Sequence, residues 1–157
     1  MRRWVIRICF AVAIVLVAIQ FVRPARTNPP VDPAKTIHAN LEVSPQVAAI
    51  FERSCQDCHS NQTRWPWYSR VAPASWIVVN DVNEGRGDLN FSGWTNYDTK
   101  RKQKLLKKMC DEMKGGQMPM AAYVLLHPKA RISREDVQAV CEWTDAQRQH
   151  LAPEPGQ

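Results

Sequence analysis

Three observations predict an all-α fold for this chain. Two stretches after residue 97 carry apolar residues at helical spacing behind clear start signals, the first of them ending at a clear glycine stop. A third such stretch opens at Ser44-Pro45 and runs into the middle of the chain. No convincing strand pattern and no internal repeat lies between them.

Taken in order, Met1 to Arg7 carries Arg2, Arg3 and Arg7, and Ile8 to Val22 is apolar except for Gln20. Counted from Trp4 this is about 19 residues, close to the ~20 that span a bilayer as a helix. The leading arginines predict a cytoplasmic N-terminus, although Arg23 and Arg26 weaken the bias. Residues 1–22 therefore read as a single transmembrane anchor, with the rest of the chain exported. A cleaved signal peptide, with its best small-residue site around Leu16–Ala18, would export the same remainder. Cys9 reads as an ordinary apolar residue of the span. Residues 23–43 contain Pro24, Pro29, Pro30 and Pro33 and read as a semi-rigid spacer holding a domain off the membrane. His38 in this spacer reads as exposed and idle.

Residues 44–150 are the predicted domain. Ser44 caps a helix with Val47, Ile50, Phe51 and Ser54 on one face, leading into Cys55. Asn61 to Ser75 reads as loop, Pro73 to about Asn83 as a short helix, and Gly85, Gly87 and Gly93 as breaks. Asp98 or Thr99 starts a helix that places Leu105, Leu106, Met109, Cys110 and Met113 on one face and stops at Gly115-Gly116. Gln117 to Arg131 reads as loop with one turn. Ser133 and Asp136 form a capping box for a last helix to about His150. Residues 151–157 read as a frayed tail.

The chain has 157 residues, a formal net charge of +6, six Trp and eleven Pro. A domain of on the order of 110 residues buries only a modest core. The basic balance suits an acidic partner or a membrane surface, and no nucleic-acid partner is expected. The lysines between 100 and 108 either steer an acidic redox partner or form a solvated helix face.

Of the five cysteines, two stand in Cys55-Gln56-Asp57-Cys58-His59. This is the C-x-x-C-H pattern of c-type haem attachment. Two thiols one helical turn apart can reach the two vinyl groups on one porphyrin edge, and the next residue places an imidazole beneath the iron. Chance placement of these cysteines and histidines gives roughly 0.003 such matches. A thioredoxin-like pair usually sits among strands, a zinc site would need a fourth ligand, and a Cys55–Cys58 disulfide would leave His59 without a role. Cys110 and Cys141 lie on apolar helix faces, and either a disulfide or two buried thiols fits them.

At Gly115-Gly116-Gln117-Met118-Pro119-Met120 the chain resembles class I cytochromes c, in which a Met-Pro loop supplies the distal sulfur and a C-terminal helix crosses the first. That resemblance implies Met118 as the sixth ligand opposite His59. Met120, or His127 as a second imidazole, stays open as an alternative, as does an iron with no protein ligand on that side. A closer resemblance spans Val43 to about Trp143. Cys55–Tyr68, Ala72–Trp76 and Gly116–Pro128 match C-x-x-C-H-S-N-x-T-x-W-P-W-Y, A-P-x-S-W and G-x-M-P-x-x-x-Y-x-x-x-H-P, and are similar to the bacterial haem-binding domain family of small membrane-anchored c-type cytochromes. The resemblance implies one covalent haem c and brings in Pro119 and Tyr123 as cofactor-binding candidates. Trp65, Trp67, Tyr68, Trp76 and Trp94 fit a pocket wall or a plain aromatic core, with indole N–H groups available to haem propionates. Arg64 and Arg70 are further propionate candidates.

The expected function is a monohaem electron carrier in the bacterial inner membrane with its haem domain in the periplasm, free or within a larger electron-transfer complex, and not itself an enzyme. The rivals are a peroxidase-like enzyme or gas or redox sensor with an open iron position, and a maturation protein whose Cys pair works without haem.

Overall fold

The computed structural model describes residues 1–151; the expected tail from residue 152 lies outside them. Every regular element among these residues is helical, and none is a strand. The long helices are α1 (Arg2–Ala18), α3 (Pro45–Ser54), α5 (Ala74–Asp88), α6 (Thr99–Lys114) and α8 (Arg134–His150), and the short ones are α2 (Ile37–Asn40), α4 (Gln56–His59) and α7 (Ala121–Leu126). A 3₁₀ turn extends α1, so that one apolar helix of 20 residues runs from Arg2 to Phe21 with no residue buried.

The local signals act as their chemistry requires. The Ser44 hydroxyl accepts from the Val47 N–H, and Asp98 caps α6 by accepting from Arg101 N–H. Ser133 and Asp136 form the complete reciprocal box at the start of α8. Gly116, at φ +69°, takes the left-handed conformation that ends α6. The core gathers Val47, Ile50 and Phe51 of α3, Leu105, Leu106 and Met113 of α6, and Val140 and Trp143 of α8, with Leu89, Phe91 and Trp94 from the segment after α5. Phe51 stands edge-on to Trp143 at 5.3 Å between ring centroids. The α6–α8 pair is clasped by a Cys110–Cys141 disulfide, the first of the two alternatives the sequence left open.

Two sequence expectations are corrected. The helix expected to end near Asn83 continues to Asp88, through Gly85 and Gly87. Gly85 is buried because α5 presses on the Cys55–His59 turn there, so its glycine serves close approach rather than a break. Residues 23–43 are not a free spacer. Ile37 is fully buried in the core, and Trp143 Nε1–H donates to Glu42 O at 2.7 Å. The Arg86 guanidinium donates to Thr27 O, Asn28 Oδ1, Ser60 O and Thr63 Oγ1, each at 2.8 Å. The proline-rich segment is thus stitched along the domain by the Thr27 and Glu42 carbonyls, the Asn28 side chain and the buried Ile37. His38 is exposed as expected and touches Phe51 only edge-on.

Candidate functional site

Helix α3 ends at Ser54, and the chain turns at Cys55 (φ −125°, ψ −38°) before one further helical turn, α4. Within that turn Cys58 N–H and His59 N–H both donate to Cys55 O, at 3.2 and 3.0 Å. The two thiols and the imidazole are therefore held on one short rigid unit, wedged between α3 and α5.

His59 Nδ1 lies 2.9 Å from Gly85 O and 3.0 Å from Leu89 O. Both partners are carbonyls and can only accept, so Nδ1 carries the proton and Nε2 keeps its lone pair. Ligating histidines are oriented in this way, with the far nitrogen donating to a backbone carbonyl. Burial pushes the imidazole below its ordinary pKa, against the pull of the two carbonyls, and so favours the neutral ligand form. Burial likewise pushes Cys55 up to about 12 against the Arg53 charge, and Cys58 up to about 11 with help from Asp81 and Asp57. Both remain thiols at neutral pH.

One cleft of about 120 Å³ is lined by Cys55, Cys58, His59, Met118, Pro119, Met120 and Tyr123 together. It adjoins a cavity of about 340 Å³ that shares Cys55, His59, Met118 and Met120 and is walled by Leu89, Phe91, Leu105, Met109, Met113 and Ile132. A third space of about 220 Å³ lies on the far side of Cys58, against Tyr68, Tyr123 and His127. The residues fit haem. An apolar slot opens beside two thiols, an imidazole presents a free nitrogen, and thioethers stand in the same walls. The buried Ser54 hydroxyl, which faces the slot, has no hydrogen-bond partner.

The sequence candidates separate clearly. Met118 and Met120 both reach the walls that His59 shares, whereas His127 lies in the third space without His59. His127 is also occupied, with Nδ1 3.1 Å from Tyr123 O and Nε2 3.4 Å from Tyr68 Oη. Tyr123 stacks on His127 and donates to Asp57 Oδ2 at 2.8 Å; its phenol is held well above the usual range, by burial first and this carboxylate second. The tryptophans do not form the pocket wall. Trp65 Nε1–H donates to Asn28 Oδ1, Trp76 Nε1–H donates to Val22 O, Trp67 is exposed, and Trp94 is buried in the core. The indoles of Trp65 and Trp76 do find partners, but in the N-terminal segment. Arg64 pairs with Asp57 and donates to Glu52 O, and Arg70 lines none of the three spaces.

Sequence reasoning missed Asp57, Gly85 and Leu89. Asp57 is one of the two variable positions of the motif, yet its carboxylate gathers Arg64 N–H, Arg64 Nε–H and the Tyr123 hydroxyl. A carboxylate between the cysteines was the available signal. Gly85 and Leu89 act through backbone carbonyls, which no side-chain pattern reveals.

No curated protein and no solved structure matches the chain significantly. The family of haem-binding domains matches residues 14–146, most of the chain including α2 and the segment before it. With its cleft, its free imidazole nitrogen and this match together, the chain belongs to the haem-binding domain family.

Proposed function

We propose that this protein is a membrane-anchored monohaem c-type cytochrome that carries single electrons on the exported side of the bacterial inner membrane. The observation that carries the reading is the common cleft of Cys55, Cys58, His59, Met118 and Met120, with His59 Nδ1 already bound to two backbone carbonyls. Cys55 and Cys58 would form the thioether links, His59 Nε2 the proximal bond, and Met118 the distal bond with Met120 as its neighbour. Bound haem would supply a ferrous–ferric couple, and a thioether opposite an imidazole favours the ferrous state. The chain's own part is to hold the imidazole still, keep it neutral and wall off water with Leu89, Phe91, Leu105 and Ile132. An imidazole held by two carbonyls has little freedom to reorganise, which suits electron transfer rather than turnover of a substrate. The helix Arg2–Phe21 supports membrane anchoring, and the three arginines before and within its start support a cytoplasmic N-terminus.

The test is the visible spectrum of the reduced protein, made alongside haem-attachment machinery, with and without carbon monoxide. A c-type spectrum unmoved by carbon monoxide is expected. Met118→Ala is expected to open the iron to carbon monoxide, whereas Met120→Ala leaves the spectrum closed. A wild-type spectrum shifted by carbon monoxide would put the peroxidase-like or sensor reading ahead. No haem band at all would remove the cytochrome reading and leave the Cys pair to a haem-free role.

A further inference from the structure

The end of the apolar helix meets the domain at one specific place. Gln20 exchanges two hydrogen bonds with Ala72, its Nε2–H donating to Ala72 O and its Oε1 accepting Ala72 N–H, both at 3.0 Å. Trp76 Nε1–H donates to Val22 O at 2.7 Å, and Arg26 donates to Ser69 O at 3.0 Å. The turn 67–77 therefore sits beside the last residues of the span, with no spacer between.

That turn is also the most apolar exposed part of the domain. Trp67 is 76% exposed, Ile77 62%, Val71 46% and Trp76 37%. Leu126, 59% exposed, shares a cavity wall with Ile77 and extends the patch onto α7. Single exposed apolar residues need no explanation, but a contiguous group does. Arg23 and Arg70 are exposed in the same two segments. Tryptophan just past the end of an apolar helix is the composition of a membrane–water interface on either side of a bilayer.

We propose that the face formed by Trp67, Val71, Trp76, Ile77 and Leu126 rests in the interfacial layer of the bilayer that Arg2–Phe21 crosses, on the exported side. The domain then lies on the lipid surface instead of standing off it. Gln20 and Trp76 fix its orientation, and the arginines meet anionic headgroups. This rests on reading Arg2–Phe21 as a membrane helix.

The test uses the full chain in vesicles of phosphatidylethanolamine and phosphatidylglycerol, with the photo-reactive residue benzoylphenylalanine placed singly at positions 14, 67, 77 and 107. All four native side chains are exposed, so none of these replacements disturbs the core. Lipid adducts are expected at 67 and 77 as well as at 14, with none at 107. Adducts at 14 with none at 67 and 77 would overturn the proposal while leaving the membrane helix in place. Absence of adducts at 14 would remove the membrane helix itself, and the docked face with it.

Discussion

A Cβ atom at position 85 would lie 2.7 Å from Cys58 O, closer than any real contact of that kind. The neighbour is backbone, so nothing flexible can yield. Gly85→Ala is expected to push α5 off the Cys55–His59 turn and to lengthen the bond from His59 Nδ1 to Gly85 O. The expected loss of stability is about 1–3 kcal/mol, the usual cost of overpacking, measured by chemical denaturation. The same variant should bind haem in lower yield. Stability unchanged from wild type would mean that the close approach carries no load. His59 itself illustrates how a position acquires a role. Its identity comes from the sequence, whereas its proton position comes from two carbonyls that belong to another helix and the residue after it.

At the scale of elements, α8 is held at both its start and its middle. Asp136 closes the capping box and also accepts from Arg53 at 2.6 Å, tying α8 to α3. Burial works against the charge on Asp136, but the Ser133 N–H and the Arg53 guanidinium outweigh it and hold the carboxyl below its ordinary 3.8. A folded-state pKa that is depressed stabilises above the unfolded value and loses that stability as pH falls through the folded one. The contribution is therefore complete above about pH 5 and fades below pH 4. Asp136→Asn is expected to cost about 1 kcal/mol near neutrality, in the range of a lost cap. Melting curves of variant and wild type should converge as the pH approaches 3. Further along α8, Cys141 is joined to Cys110 of α6 across 31 positions of sequence. Replacing both by serine should cost about 3–4 kcal/mol by the loop-closure argument, read as a lower midpoint in denaturant.

These elements also mark how far the sequence was legible. The helices α3, α6 and α8 carried their own caps and apolar stripes, and α6 its own stop as well, and each lies within a residue or two of its expected bounds. The Cys55–His59 motif and the Met118-Pro119-Met120 loop were legible because their chemistry resides in side chains. Gly85 and Gly87 read as breaks because a glycine looks the same whether it frees the chain or lets another helix approach. Trp65 and Trp76 read as pocket wall or plain core because their partners, Asn28 Oδ1 and Val22 O, lie more than 35 positions away in a segment that proline content marks as extended. Extended chain need not be unpacked chain, and composition records only the first property.

At the scale of the whole molecule, the positive charge is unevenly committed. Lys107 and Lys108 pair with Asp111 and Asp88, and Lys102 lies over the Trp94 ring. Surface pairs of this kind contribute little to stability. Arg86 differs, because its four acceptors come from both the N-terminal segment and the loop after His59. Arg86→Ala should release residues 27–33 from the domain and cost about 2–3 kcal/mol, the scale of charged hydrogen bonds left unmade. Limited proteolysis should then cut near Thr27–Val31 in the variant and not in the wild type. Equal cleavage in both would show that the segment is held by other means.

The consequence of this stitching is one of reach. Twenty-one residues of loose extended chain would let a domain wander about 70 Å from its point of attachment, sampling partners over a wide hemisphere. Bound along the domain through Thr27, Asn28, Ile37 and Glu42, the same residues give almost no tether at all. On the function proposed above, the domain would be a fixed station beside the helix Arg2–Phe21, and a redox partner would have to do the travelling.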